Sequence, residues 1–246
     1  IVARSHLEKN YGESIKEIIS DKNKINFHFK NRFKAKDSIS TLFSMSESLK
    51  KFTILLNKIK PNIVIILGDR YEMLTAAVSA TIQNYPIAHI HGGETTKGAF
   101  DNSIRHSISQ ISNLHFVSHN LYKKKLIKLG KNSKNIFNFG GLGAENIILC
   151  KFLDKKKIEK KFKFKFHKKN ILVSIHPVTR EPKTTKKYFQ NIIYGIKKFT
   201  DIKFIFTYPN PDPENFIIIK KLKKYLRKNK KFVSLKSFGQ KNFFSV

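Results

Sequence analysis

Sulfur, indole and negative charge are all scarce in this 246-residue chain: it has one Cys, two Met and no Trp, and 17 Asp plus Glu against 49 Lys plus Arg. A lone Cys150 excludes a disulfide framework within the chain and any zinc or iron–sulfur centre built on several thiolates, and it fits a reducing, cytoplasmic compartment. Long apolar runs are missing too. Stretches such as 63–67 and 216–219 fall far short of the roughly 20 residues that span a bilayer, so no membrane partner is expected. No signal-peptide layout opens the chain. What the sequence does have is 40% hydrophobic residues over a length that suits one large domain or two small ones, which makes disorder the wrong default.

The formal net charge of +32 invites a nucleic-acid reading, because one sign of charge this large attracts polyanions through counterion release. The texture of the charge argues against it. Only Arg4, Arg32, Arg70, Arg105, Arg180 and Arg227 are arginines, although Arg supplies the forks that read phosphates and guanines. The remaining cations are lysines scattered among Ile, Asn and Phe, as expected of a composition bias applied to solvated faces. No specific nucleic-acid partner is expected. In such a chain, each Arg and each carboxylate stands out.

Hydrophobic periodicity alternates between strand and helix. Strands are expected over 1–3, 24–29, 62–67, 86–90, 114–118 and 135–139, with helices over 11–20, 38–58, 71–83, 101–112 and 120–129. The helix over 38–58 carries an apolar stripe of Leu42, Met45, Leu49, Phe52, Ile54, Leu55 and Ile59. The β-branched run at 62–67 reads as a strand buried on both faces of a parallel sheet. Residues 151–169, dominated by Lys and Phe, read as a linker with a helical portion. Strands then follow over 170–175, 202–207 and 232–235, with helices over 184–199 and 214–230. The expected fold class is α/β, with two doubly wound Rossmann-like domains facing each other across a cleft: 1–150, then the linker, then 170–246.

Chemistry-bearing residues gather after strands. Asp69-Arg70, His91-Gly92-Gly93-Glu94 and His176-Pro177 each follow one, where side chains leave the core for a ligand crevice. Each has a plainer reading as well. Asp69 resembles a helix N-cap; His89 and His115 fall within strand cores; His119 sits at a helix start; and Asp101 with Arg105 fits an exposed i,i+4 pair on a helix capped by Asp101. A zinc site using His89, His91 and Glu94 or Asp101 is the weaker alternative.

Several segments together carry a family resemblance: Leu67-Gly-Asp-Arg-Tyr-Glu-Met-Leu74, Ile87-Ala-His-Ile-His-Gly-Gly-Glu94 and Gly98-Ala-Phe-Asp-Asn-Ser-Ile-Arg-His106, supported by Asn113-Leu-His-Phe-Val117, Gly140-Gly-Leu-Gly143, Ser174-Ile-His-Pro-Val-Thr179 and Thr207-Tyr-Pro-Asn-Pro-Asp212. In this order they resemble the hydrolysing UDP-N-acetylglucosamine 2-epimerases, in the branch that feeds sialic-acid and legionaminic-acid synthesis. The resemblance implies a glycosyltransferase B type fold, a UDP-sugar substrate, no cofactor or metal, and a homo-oligomer. It implies elimination of UDP to a 2-acetamidoglucal, then addition of water. By motif, Asp69, Glu94 and Asp101 would be the acid–base carboxylates, and Arg70, His91, Arg105, His106, His176 and Asn210 the substrate contacts. His91 stands where other branches carry a Glu. The resemblance also implies an internal stretch of a longer enzyme, with phosphate loops lying before Ile1 and after Val246, and an isolated chain that would not turn over substrate. A glycosyltransferase of the same fold and a basic nucleic-acid-binding piece are the competing readings.

Overall fold

The computed structural model describes the chain apart from residues 9–11, 33–36, 182 and 230–231. Packing divides it into two units: the described residues of 1–30, 34–40 and 150–246, and those of 31–33 and 41–149. This differs from a first domain over 1–150, because the opening 30 residues pack with the C-terminal part of the chain. The Glu17 carboxylate accepts from the Gln240 backbone N–H at 2.6 Å, and a β-carbon at Gly12 would stand 2.4 Å from Ser237 Cβ. Among the described residues no helix is long and apolar enough to cross a membrane.

The second unit holds a four-stranded parallel sheet of β3 (Val64–Leu67), β4 (Ile87–Ile90), β5 (Leu114–Val117) and β6 (Ile136–Asn138), in that order. Its helices are α2 (Ser38–Ile59, from residue 41 onward), α3 (Tyr71–Ile82), α4 (Asp101–Ile111), α5 (Asn120–Lys128) and α6 (Leu142–Leu149). Periodicity misses α6. The register lines up Ile66, His89, His115 and Ile136 as one row, and all four are buried. The opposite row does not fit the expectation of a strand covered on both faces: Ile65 is 66% and Leu67 51% exposed, and among the described residues β3 pairs on one side only, at the edge of its sheet. Phe116 and Phe137 continue that row and stack at 5.6 Å.

The expected stripe on α2 is also displaced. The buried line is Thr41, Ser44, Ser48, Phe52 and Leu56, while Leu42, Leu49, Ile54 and Ile59 are exposed. The cause is polar: the Asn31 side-chain amide donates to the Ser44 carbonyl at 2.8 Å and to the Ser48 hydroxyl at 2.6 Å, drawing the small hydroxyl face inward.

The first unit holds the two-stranded parallel pair β1 (Val2–Ala3) and β2 (His28–Phe29), and the parallel sheet β7 (Lys169–Val173), β8 (Ile202–Thr207) and β9 (Phe232–Leu235). Helix α1 runs over Ile15–Ser20 only, since Gly12 and Glu13 take positive φ of 88° and 48°; Tyr11 lies outside the described residues. Helices α7 (Lys155–Phe162), α8 (Thr185–Lys197), α9 (Asn215–Lys228) and α10 (Gln240–Phe244) complete it, with Lys230 outside the described residues. Far from being a bare linker, the Lys-rich stretch after 150 supplies Ile158 and Phe164 to a core with Ile205 and Phe238. On the other face of this sheet Phe189, Ile193, Phe204, Phe206 and Leu222 form a second core.

Burial pushes both His89 and His115 down to about 4, so each is neutral in the folded chain. His115 Nδ1 is buried without a hydrogen-bond partner among the described residues. The folded values lie below the ordinary histidine value of 6.5, so the stability these groups contribute is complete above pH 6.5 and is lost as the pH falls towards 4. The thermal midpoint is therefore expected to drop across that window. His115→Leu, which removes an unsatisfied polar group, is expected to flatten the drop and leave stability at pH 7.5 unchanged or higher; melting curves between pH 4 and 8 check this.

Candidate functional site

The exits of β3, β4 and β5 contribute to one cluster. Gly68 follows β3 and turns at φ +76°, so that Asp69 leaves the strand direction. His91 follows β4 at φ +63°, a left-handed conformation rare for residues with a β-carbon. The two glycines behind it are required by close approach. A β-carbon at Gly92 would stand 2.9 Å from Ser109 Oγ, and one at Gly93 3.0 Å from the Tyr122 carbonyl. This tight turn brings Glu94 back beneath His91. Ser118, the first residue after β5, completes the ring.

At its centre lies Arg105 of α4, only 7% exposed. Its Nη2 bonds the Asp69 carboxylate and reaches Thr96 Oγ1 at 3.2 Å, while Nη1 donates to Glu94 Oε2 and to the His91 carbonyl, both at 3.0 Å. Glu94 Oε1 accepts from Ser118 Oγ and from His91 Nδ1, each at 2.6 Å. Burial alone would push the Glu94 carboxyl up, but the bonds from Ser118 and His91 and the charge of Arg105 outweigh it, and the net direction is down. Beneath the cluster, His89 Nε2 donates to the Gly68 carbonyl at 2.7 Å and its Nδ1 accepts from Ser109 Oγ at 3.1 Å.

The structure thus brings together Asp69, His91, Glu94 and Arg105 from the residues singled out in the sequence. It also corrects several expectations. Arg105 is no exposed partner of Asp101, and its guanidinium is spent on Asp69, Glu94, the His91 carbonyl and Thr96. Asp101 is the first residue of α4 and Phe100 holds the cap position, and the neighbouring Asn102 accepts from the Thr96 backbone N–H at 3.0 Å. His106 projects away from Arg105 towards α5, where Lys125 Nζ lies 3.0 Å from its Nε2; burial first, then Lys125 and Arg105, push it down. Arg70 lies 3.4 Å from Glu72 and over the Tyr71 ring. His119 caps α5 by accepting from the Leu121 N–H. With both nitrogens of His89 engaged, the His-x-His pair is not an open ligand pair, and among the described residues no group of three or more His, Cys, Asp or Glu is placed to hold a metal ion. Spacing singles out neither Ser118 nor Thr96. The usable signal for Ser118 is its place directly after a strand.

His176 and Asn210 belong to the first unit, at the carboxyl ends of β7 and β8. The Asn210 backbone N–H donates to His176 Nδ1 at 3.2 Å, which fixes the Nε2–H tautomer, and Tyr188 Oη donates to the His176 carbonyl. Both residues line a cavity of about 480 Å³ with Ser174, Thr207, Lys236 and Gly239. One wall is made by the exits of three parallel strands, the ordinary place for a ligand in a sheet of this kind, and the rest by His6, Ser14, Glu17 and α10.

Residues 1–246 match the family model described as UDP-N-acetylglucosamine 2-epimerase. The chain is 37% identical to the GDP/UDP-N,N'-diacetylbacillosamine 2-epimerase (hydrolyzing) of Campylobacter jejuni, over all of this chain and 64% of that protein. It is 32% identical to the UDP-N,N'-diacetylbacillosamine 2-epimerase (hydrolyzing) of Legionella pneumophila, over 92% of this chain and 59% of the relative. Among solved structures, the UDP-GlcNAc 2-epimerase of Neisseria meningitidis bound to UDP-GlcNAc aligns with a TM-score of 0.74 at 20% identity, over 94% of this chain and 64% of that one. That likeness is one of fold: α/β, with parallel sheets, of glycosyltransferase B type. The chain spans about three fifths of the length of the curated relatives it matches.

Replacing Arg105 leaves two carboxylates facing each other without their shared cation. Arg105→Met is expected to lower unfolding free energy by about 2–3 kcal/mol, below the roughly 3–5 of a fully buried pair because both carboxylates keep part of their surface in water. Arg105→Lys should recover only part of it, since one ammonium cannot fork between Asp69 and Glu94. Denaturant unfolding midpoints measure both.

Proposed function

The chain belongs to the UDP-N-acetylglucosamine 2-epimerase family, and from that premise we propose that it carries acid–base machinery of a hydrolysing nucleotide-sugar 2-epimerase. The substrate would be a UDP-linked 2-acetamido sugar, either UDP-N-acetylglucosamine or its 2,4-diacetamido relative. The second is favoured because the relatives at 37% and 32% identity are both named for diacetylbacillosamine and both as hydrolysing. The products would be the free manno-configured sugar and UDP, as in sialic-acid or legionaminic-acid synthesis.

The observation that carries this reading is the cluster of Asp69, His91 and Glu94 around Arg105. Epimerisation at C2 needs a base on one face of the sugar and a proton donor on the other, so more than one titratable group has to be held in place. Asp69 is bound to Arg105 through Oδ2, and its Oδ1 has no partner among the described residues. Asp101, at the start of α4, is the third acid–base group of the reading. Expelling UDP builds negative charge on its phosphates, which a neutral imidazole N–H or a guanidinium can stabilise. His176, with Nε2–H as its donor, and Arg70 are assigned to the diphosphate, and Asn210 to the nucleotide.

In the full-length polypeptide carrying this sequence, turnover of UDP-N-acetylglucosamine or UDP-N,N'-diacetylbacillosamine in D2O is expected to place deuterium at C2 of the released sugar. Asp69→Asn should lower kcat by about 10²-fold or more, while UDP affinity by calorimetry stays within a few-fold. Normal turnover in this variant would remove Asp69 from the chemistry.

A further inference from the structure

We propose, on the epimerase reading above, that His91 Nε2 takes the C2 proton of the sugar and that Glu94 is the positioning residue that holds His91, rather than itself accepting the proton. The carboxylate of Glu94 is largely occupied, with three of its roughly four acceptor sites taken: Oε1 accepts from His91 Nδ1 and Ser118 Oγ, each at 2.6 Å, and Oε2 accepts from Arg105 at 3.0 Å. A carboxylate held ionised by three donors is a weak base whose lone pairs point at its own partners. The imidazole is placed the other way round. Its Nδ1–H is spent on Glu94, so the ring is fixed in the tautomer whose lone pair lies on Nε2, and Nε2 has no partner among the described residues.

The backbone supports the same assignment. At φ +63° His91 departs from the strand's alternation, and Arg105 holds that turn by donating to the His91 carbonyl. On the ring's Cε1 side stands Gly141, where a β-carbon would come to 4.0 Å. The charged and titratable groups around His91 are Glu94 on its own loop, Arg105 from α4, Asp69 across Arg105 from the β3 exit, and His89 in the preceding strand. His89 is neutral, and the exits of β5 and β6 bring the uncharged Ser118 and Gly141. One carboxylate therefore touches the imidazole directly, and the one nearby cation is shared between two anions.

In the step so assigned, Nε2 takes the proton from C2, the C2–H electron pair becomes the C1=C2 bond, and the C1–O bond breaks with its electrons leaving on UDP. The imidazolium keeps its Nδ1–H on ionised Glu94, which balances the new charge. A second group then delivers a proton to C2 on the opposite face while water adds its oxygen to C1; the proton that this water gives up restores the second group, and the imidazolium returns its own proton to solvent.

The full-length polypeptide tests this with UDP-N-acetylglucosamine and UDP-N,N'-diacetylbacillosamine as probes. No UDP release from either by the wild type overturns the epimerase reading and this assignment with it. Given turnover, His91→Asn, chosen because Asn tolerates positive φ, is expected to lose about 10²- to 10³-fold in kcat, with UDP affinity and melting temperature unchanged; His91→Gly serves where Asn fails to fold. Glu94→Gln is expected to lower kcat with little change in KM. A His91 variant that keeps more than a tenth of wild-type kcat overturns the assignment while leaving the epimerase reading intact. So does a Glu94→Gln variant that keeps wild-type kcat, or one whose loss falls on KM rather than on kcat.

Discussion

The bridge from Arg105 to Asp69 and Glu94 is the interaction on which the candidate site depends. One guanidinium, 7% exposed, ties the exit of β3, the turn after β4 and helix α4 together through four acceptors. A planar fork of donors suits this task because it satisfies two carboxylates and a carbonyl at once in a fixed geometry. Without that cation, two carboxylates would stand close together in a poorly solvated turn, and one of them would take up a proton. With it, Glu94 is held below its ordinary carboxyl value by its hydrogen bonds and the guanidinium, and Asp69 keeps its place at the strand exit through the same fork.

The sheet beneath explains why the cluster can be rigid. Ile66, His89, His115 and Ile136 form one buried row, and the two histidines in it are neutral. His89 has a task that an aliphatic residue could not perform: it ties the Gly68 carbonyl of one strand exit to Ser109 of α4. The fold therefore uses a buried polar side chain to fix the loop that carries Asp69, at some cost in acid stability. Loop positions set by strand ends, glycine close approaches and buried hydrogen bonds hold a constellation more firmly than side-chain contacts at a surface would.

Much of this was legible in the sequence, and what was not has physical causes. Strands β8 and β9 fall on the residues that periodicity gives, because their β-branched and aromatic runs sit between clear breaks. Helix α2 was legible as an element but not in its orientation, since Asn31, distant in sequence, selects the Ser44 and Ser48 face over the leucines. The gathering of Asp69, His91 and Glu94 followed from their places after strands. The role of Arg105 did not. Four residues on from Asp101, it matched a local helix pair, and only the tertiary fold supplies Asp69 from 36 positions away. Ser118 was missed because a single hydroxyl carries no spacing signal.

The positive charge of the chain also takes on a different meaning at the site. Lysine ammonium groups are strongly hydrated and stay on flexible stems in water, so an excess of them does little to order a buried anion. The cluster therefore recruits none of the abundant lysines at its centre and instead buries one of six arginines. Where Lys does approach, as Lys125 does at His106 and Thr95, it stays at the rim of the helix pair and helps to keep the imidazole neutral. The surface charge and the site are thus separate consequences of the same composition: cations that hydrate well collect outside, and the weakly hydrated fork sits between the two carboxylates it bridges.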